Sequence, residues 1–204
     1  MKRNNEFKQC FPNTSSITQN LQLQRQNSSS KVRDILLKYK EKNPLICELP
    51  LDEFIIVQYP VSNSQTIGRL TQKYIEINYG WDNRDQYTET ADLLDKNGEV
   101  WEIKYSASHI INGYYHYEWS RIIPKYFDYL LLIGYDIREE VVNLYKIDSS
   151  ILQDKKNNFG CTYSPYKFLS SNGNGTYAFK LNLSSNSSKE KRNSLNKFKI
   201  DKIE

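Results

Sequence analysis

Hydrophobic and polar positions fall into blocks along the chain, and each block predicts an element. Residues 1–30 are polar and rich in Asn, Gln and Ser, a composition that predicts a flexible arm. Ser30 then caps a helix whose apolar stripe is Val32, Ile35, Leu36 and Tyr39, and Asn43-Pro44 ends it. Within residues 49–59 the run Phe54-Ile55-Ile56-Val57 reads as a strand or a buried segment, closed by Pro60. Ser64 caps a second helix, about residues 65–78, with Ile67, Leu70, Tyr74 and Ile77 on its core side and Gly80 as its stop. Residues 81–89 form a polar connector.

Residues 90–106, TADLLDKNGEVWEIKYS, predict a β-hairpin. Asp95, Lys96, Asn97 and Gly98 have Asp at the opening of a type I turn and Gly where φ must turn positive. Such a turn closes a favoured three-residue loop. If that loop is centred on Asn97, Asp92 lies across from Glu102, Leu94 across from Val100 and Thr90 across from Lys104. Alternation along the strand then puts Asp92, Glu102 and Lys104 on one face. A two-residue loop at Asn97-Gly98 would instead set Asp92 opposite Ile103, off that face.

Beyond the hairpin, residues 105–109 leave as a loop toward an aromatic-dense segment holding Tyr114, Tyr115, Tyr117 and Trp119. Residues 127–134, FDYLLLIG, are a continuous apolar run typical of a buried central strand. A charged turn at 136–140 leads to the strand 141–147, antiparallel to it, and residues 148–150 start a short helical turn. Residues 157–175 are loop-rich, residues 176–183 are a last strand, and the tail from 184 has a weak helical pattern through Leu195 and Phe198. No internal repeat is present.

Two hundred and four residues suffice for one domain with a full core. The domain reads as residues 31–183, between the arm and a basic tail, 184–204. No apolar run approaches a transmembrane span, and the basic N-terminus has no apolar stretch behind it to make a secretory signal. Cys10, Cys47 and Cys161 are too far apart for a zinc motif and odd in number, so a reducing cytoplasmic setting is expected. The net charge of +4 is unevenly placed: residues 1–50 hold nine Lys/Arg against four Asp/Glu, residues 184–204 hold six against three, and the middle is net negative. Basic ends around an acidic centre suit a chain that grips a phosphate backbone and gathers cations in its middle. Solubilising tails would give the same pattern.

The acidic centre carries the chemistry. Leu93, Val100, Trp101 and Ile103 predict a hairpin at least half buried. Carboxylates in that setting need a counter-charge, which a divalent cation between Asp92 and Glu102 would supply. Mg²⁺ is commonly held by one or two carboxylates, with water and substrate phosphate in its other positions. Lys104 would orient or help deprotonate an attacking water, or stabilise charge on the phosphate. Against this stands the commonness of Glu-x-Lys, which alone marks a solvated strand with a cross-strand ion pair.

Asp92, nine intervening residues and then Glu102-Ile103-Lys104 resemble the PD-(D/E)xK nucleases, which include most type II restriction endonucleases. The chain departs at the first letter, Ala91 standing where the family name has Pro. The resemblance runs from about residue 64 to 147 and rests on the order of elements. It implies an α/β fold with a restriction-endonuclease-like mixed central β-sheet flanked by helices. It also implies that Asp92, Glu102 and the Ile103 carbonyl hold Mg²⁺ while Lys104 serves the water. Such nucleases commonly place a helix before the hairpin with a Glu toward the metals. Gly68, Gln72 and Glu76 lie along one helical row here, so Gln72 matches that position by spacing and Glu76 sits one turn on; both also fit a solvated face. Ser106, His109 and Arg121 are candidate DNA-phosphate contacts, and the aromatics either stack on bases or pack under the loop.

The function implied is Mg²⁺-dependent, sequence-specific cleavage of double-stranded DNA, leaving 5′-phosphates, by a homodimeric type II restriction enzyme without membrane association. The N-terminal arm and the tail would then contact DNA. Other readings are a structure-specific, homing or repair nuclease of the same fold, a non-catalytic DNA-binding accessory protein, and an interaction domain that does not bind DNA.

Overall fold

The longest apolar run of the chain occupies the middle of a six-stranded sheet, with described helices packed on one face and a second sheet on the other. The structure, a computed structural model, describes residues 11–24, 29–83, 91–153, 164–166, 176–183 and 194–203. Its helices are α1 (Thr14–Gln24), α2 (Ser30–Lys38), α3 (Leu51–Gln58), α4 (Ser64–Tyr79) and α5 (Ser149–Gln153). The strands are β1 (Asp82–Asn83), β2 (Leu93–Leu94), β3 (Val100–Ala107), β4 (His109–Ile111), β5 (Tyr114–Ile122) and β6 (Tyr129–Asp136). They continue with β7 (Val141–Asp148), β8 (Ser164–Tyr166), β9 (Thr176–Asn182) and β10 (Lys199–Ile200).

The central sheet has the order β1-β2-β3-β6-β7-β10 and is mixed. β3 and β6 run parallel with Glu102 beside Leu130 and Lys104 beside Leu132, while β7 returns antiparallel to β6. A parallel pair needs a long crossover. It is made here by β4 and β5, which join β9 and β8 in a second sheet of order β4-β5-β9-β8. The chain changes sheets at Ser108, whose N–H bonds the Tyr135 carbonyl at 2.8 Å and whose Oγ accepts from the Ile137 N–H at 3.0 Å.

Alternation along β6 divides the core. Leu131 and Ile133 face the helices, packing with Ile17, Val32, Phe54, Ile75 and the strand residues Trp101 and Ile103. Leu130 and Leu132 face the second sheet, packing with Tyr117, Trp119, Phe179 and Leu181. Each such fully buried Leu or Ile stabilises the fold by about 1.5–3 kcal/mol over an exposed one, so β6 anchors both layers. The α/β class and the mixed sheet flanked by helices agree with expectation; helices cover one face, and the second sheet covers most of the other.

Several local expectations give way. Of the two readings for 54–57 the buried segment holds and the strand does not: the run is helical, and α3 is capped at Pro50, begins with Asp52 and Glu53 in its first turn, and has Leu51 and residues 54–58 buried. Burial on all sides erases the periodicity that separates helix from strand. Both helix caps lie one residue earlier than expected, with Ser29 Oγ accepting the Val32 N–H at 3.2 Å and Asn63 Oδ1 accepting the Thr66 N–H at 2.9 Å. Gly80 ends α4 in the left-handed conformation, as expected. Residues 11–24 are not a loose arm, because Phe11, Ile17 and Leu21 enter the core; residues 1–10 and 25–28 lie outside the described part. The tail docks at its described end: Leu195 is buried, and β10 pairs with β7, placing Lys199 opposite Tyr145. Most of the loop-rich region 157–175 lies outside the described residues.

Candidate active site

The turn sets the register of the hairpin. Asp95 Oδ1 accepts the backbone N–H groups of Asn97 and Glu99 at 2.8 and 2.9 Å, the Gly98 N–H bonds the Asp95 carbonyl at 3.1 Å, and Gly98 has φ +82°. Leu93 consequently faces Trp101, and Leu94 faces Val100. This is the register of the three-residue loop, and continued by one residue it brings Asp92 opposite Glu102. Thr90 lies outside the described residues. The sequence reading missed how firmly the strand is clamped. Asp95 Oδ2 accepts the Trp101 indole N–H at 3.1 Å, and Asp128 Oδ2 accepts the Val100 N–H at 2.8 Å. An Asp opening a turn was the only signal for the first; for the second the sequence offers none.

Trp101 and Ile103 point into the helix-side core, so Glu102, Lys104 and Ser106 point to the other face. Asp92 Oδ2 accepts the Ile103 N–H at 2.8 Å. N–H and C=O of one strand residue project to the same edge, so the Ile103 carbonyl also faces the Asp92 side of β3. Lys104 Nζ pairs with the Glu102 carboxylate, both side chains being largely buried.

Burial raises the Asp92 carboxyl above its ordinary range, against the pull of the Lys104 ammonium, the Ile103 N–H and a hydrogen bond from the Gln72 side chain. Burial and then the charge of Asp92 push Glu102 up to about 7, with Lys104 opposing. Two desolvated carboxylates thus share one ammonium, and the site is short of positive charge. That donor set fits a hard divalent cation, which takes oxygen ligands and needs only one or two carboxylates. Among the described residues no group of three or more His, Cys, Asp and Glu gathers to hold a metal ion, so water and substrate oxygens would complete the coordination.

The structure therefore brings together Asp92, Glu102, Ile103 and Lys104. Glu76 is turned elsewhere: its Oε1 accepts from Asn83 Nδ2 at 2.9 Å, and burial raises its carboxyl above the ordinary range against the pull of Lys73 and Asn83. The expected loop after Lys104 is instead the end of β3 and the β4–β5 hairpin. Ser106 is buried, and its Oγ accepts the Glu118 N–H at 3.1 Å. It holds β5 to β3 and is placed wrongly for a phosphate contact. His109 is exposed, with Nε2 3.9 Å from the Glu118 carboxylate. Arg121 is exposed too, with φ +57° at the irregularity where β5 shifts register against β9. Tyr117 and Trp119 pack inside, whereas Tyr114 and Ile110 stand exposed beside the Asn112-Gly113 turn. The connector begins with a buried Trp81, its ring centroid 4.8 Å from that of Trp101, and a short strand.

Compared with protein-family models and with curated proteins, the chain matches none. No helix among the described residues is long and apolar enough to cross a membrane.

Proposed function

We propose that this protein hydrolyses phosphodiester bonds in double-stranded DNA with Mg²⁺, most like a type II restriction endonuclease working as a homodimer. The observation that carries the reading is the convergence of Asp92, Glu102 and Lys104 on one face of a buried hairpin. Two carboxylates there have too little counter-charge of their own. Asp92, Glu102 and the Ile103 carbonyl would hold the ion. When bound, Mg²⁺ supplies charge neutralisation for the phosphate and acidifies a coordinated water.

The chain's own residues do the remaining work. Lys104, paired with Glu102, is placed to direct a water or to steady negative charge on the phosphate. Trp101 and Ile103, locked in the core, keep the strand from rotating its carboxylates away. His109 and Arg121 are exposed and lie on the hairpin that follows the site strand, where contacts to the DNA backbone are available. Attack in line on phosphorus, with the 3′-oxygen leaving, gives a 5′-phosphate, and one site per chain makes a dimer the economical way to cut both strands.

The test is incubation of duplex DNA with the protein and Mg²⁺, followed by end analysis. Discrete fragments bearing 5′-phosphates support the proposal. Nicks or cleavage only at branched DNA would move the reading to a structure-specific nuclease. Binding without any cleavage would make the chain a DNA-binding accessory protein.

A further inference from the structure

The β4–β5 hairpin carries exposed apolar side chains on both of its faces. Ile110 is 61% and Tyr114 49% exposed, and exposed apolar groups gathered at one place mark an interaction site. Residues directly opposite in a strand pair share a face, and successive residues alternate. Ile110 is opposite Tyr115 and Tyr114 is opposite Ile111, so Ile110 and Tyr114 lie on opposite faces of the ribbon. The Asn112-Gly113 turn has φ +51° and +79°, the two positive angles of a tight two-residue hairpin. The base of the ribbon is anchored. Tyr117 and Trp119 are buried, the Trp119 indole N–H donates to the Ile133 carbonyl at 3.1 Å, and the Leu183 N–H donates to the Tyr115 carbonyl at 2.7 Å. Residues 103–117 hold no Asp or Glu, in a chain with 24 of them, so this stretch does not repel phosphate.

A protein surface docked flat on this hairpin would cover one face only. A groove has two walls and meets both, and the major groove of duplex DNA, about 12 Å wide, admits a two-stranded β-ribbon. We infer that the β4–β5 hairpin enters that groove and reads base pairs, with Asn112 at the tip addressing adenine and Ile110 packing on a thymine methyl. An Asn amide offers a donor for adenine N7 and an acceptor for its N6 amino group, and an apolar side chain suits the thymine methyl. The ribbon therefore selects A·T pairs. This rests on the reading of duplex DNA as the substrate at Asp92 and Glu102. The reach fits that reading. Ser106 Oγ accepts the Glu118 N–H at 3.1 Å, which sets Glu118 level with a point two residues past Lys104, and Tyr114 lies four residues further out. At about 3.3 Å per residue, Tyr114 stands roughly 20 Å from Lys104 along the strands, or about six base-pair steps of 3.4 Å.

The experiment selects bound duplexes from a randomised DNA pool with the full chain, for wild type, Asn112→Asp and Ile110→Ser. Ca²⁺ replaces Mg²⁺ so that a cation with oxygen ligands offsets the site carboxylates. Asp before Gly still suits the turn but lacks the amide donor, and Ile110→Ser removes the apolar contact at an exposed position. The wild type is expected to enrich a motif containing A·T pairs. Asn112→Asp should weaken the preference at one of those pairs by about 10-fold or more, with the melting temperature little changed. Ile110→Ser should weaken the preference at a thymine, and it serves if Asn112→Asp folds poorly. A motif retained in the folded variants, or a wild type that binds duplex without preference, would overturn the inference and leave the nuclease reading to stand on cleavage. A wild type that binds no duplex would instead overturn that reading, and this inference with it.

Discussion

The Asp92 carboxylate accepts a hydrogen bond from the Ile103 backbone N–H at 2.8 Å. This one contact ties the short strand β2 to the site strand β3 beyond the last paired residues, Leu93 and Trp101. It also sets Asp92 beside Glu102 and commits the Ile103 carbonyl to the same edge. Backbone geometry therefore fixes this side of the cluster.

The first consequence concerns pH. Glu102 is pushed up to about 7, by burial and by Asp92. The folded state then holds its proton where the unfolded chain, titrating near 4.5, has lost it. The stability this contributes is fully present below about 4.5 and is lost as pH rises through about 7. The melting temperature of metal-free wild type should fall across that window, and Glu102→Gln should flatten the fall. Differential scanning fluorimetry in EDTA at a series of pH values checks it, and parallel curves for the two proteins would refute it.

The turn makes a second demand. Asp95 receives two backbone N–H groups and the Trp101 indole. Asp95→Ala should destabilise the protein by about 1–3 kcal/mol, since a part-buried indole N–H is left without its acceptor. Because the same residue holds the register, hydrolysis should fall further than the loss of stability explains. Urea titration beside an activity assay separates the two effects.

That register was legible in the sequence, because Asp95 and Gly98 suit only a few turns and the alternation of residues 100–104 does the rest. The strands β6 and β7 were legible too, from unbroken apolar runs bounded by charges. What escaped reading was tertiary. Residues 54–57 carry no period because α3 is buried all round, and Ser106 looked like a phosphate ligand until β5 folded back onto it. Gln72 was placed by its helical row, but whether that row met the hairpin depended on how α4 packs. Glu76, on the same row, meets Asn83 instead.

Packing of the two layers makes a third demand, at Gly134. A Cβ there would lie 2.7 Å from Tyr117 Cζ and 2.8 Å from Cε2. Tyr117 is fully buried, so its ring cannot swing aside without disturbing β5. Gly134→Ala should cost about 1–3 kcal/mol by overpacking, measured by chemical denaturation. A neutral result would mean that the second sheet shifts freely on the first.

Arg121 offers a test of the proposed DNA-facing surface. Its side chain is exposed, and its φ of +57° is unfavourable for a residue with a Cβ. Arg121→Gly should therefore leave stability unchanged or slightly raised. If the guanidinium meets a phosphate, DNA affinity should drop and the slope of log K against log salt should shrink by about one. Ser106→Ala, by contrast, should lower stability and leave the salt slope unaltered. Fluorescence anisotropy with a duplex at several salt concentrations distinguishes them.

Supercoiled-plasmid cleavage with Mg²⁺, run for wild type, Asp92→Ala and Lys104→Ala after each is confirmed folded, addresses the central proposal most directly. Discrete linear fragments from the wild type, lost in both variants and in EDTA, are the expected result. An intact plasmid with folded wild type across several divalent metals and DNA substrates, or cleavage that survives both substitutions, would contradict it.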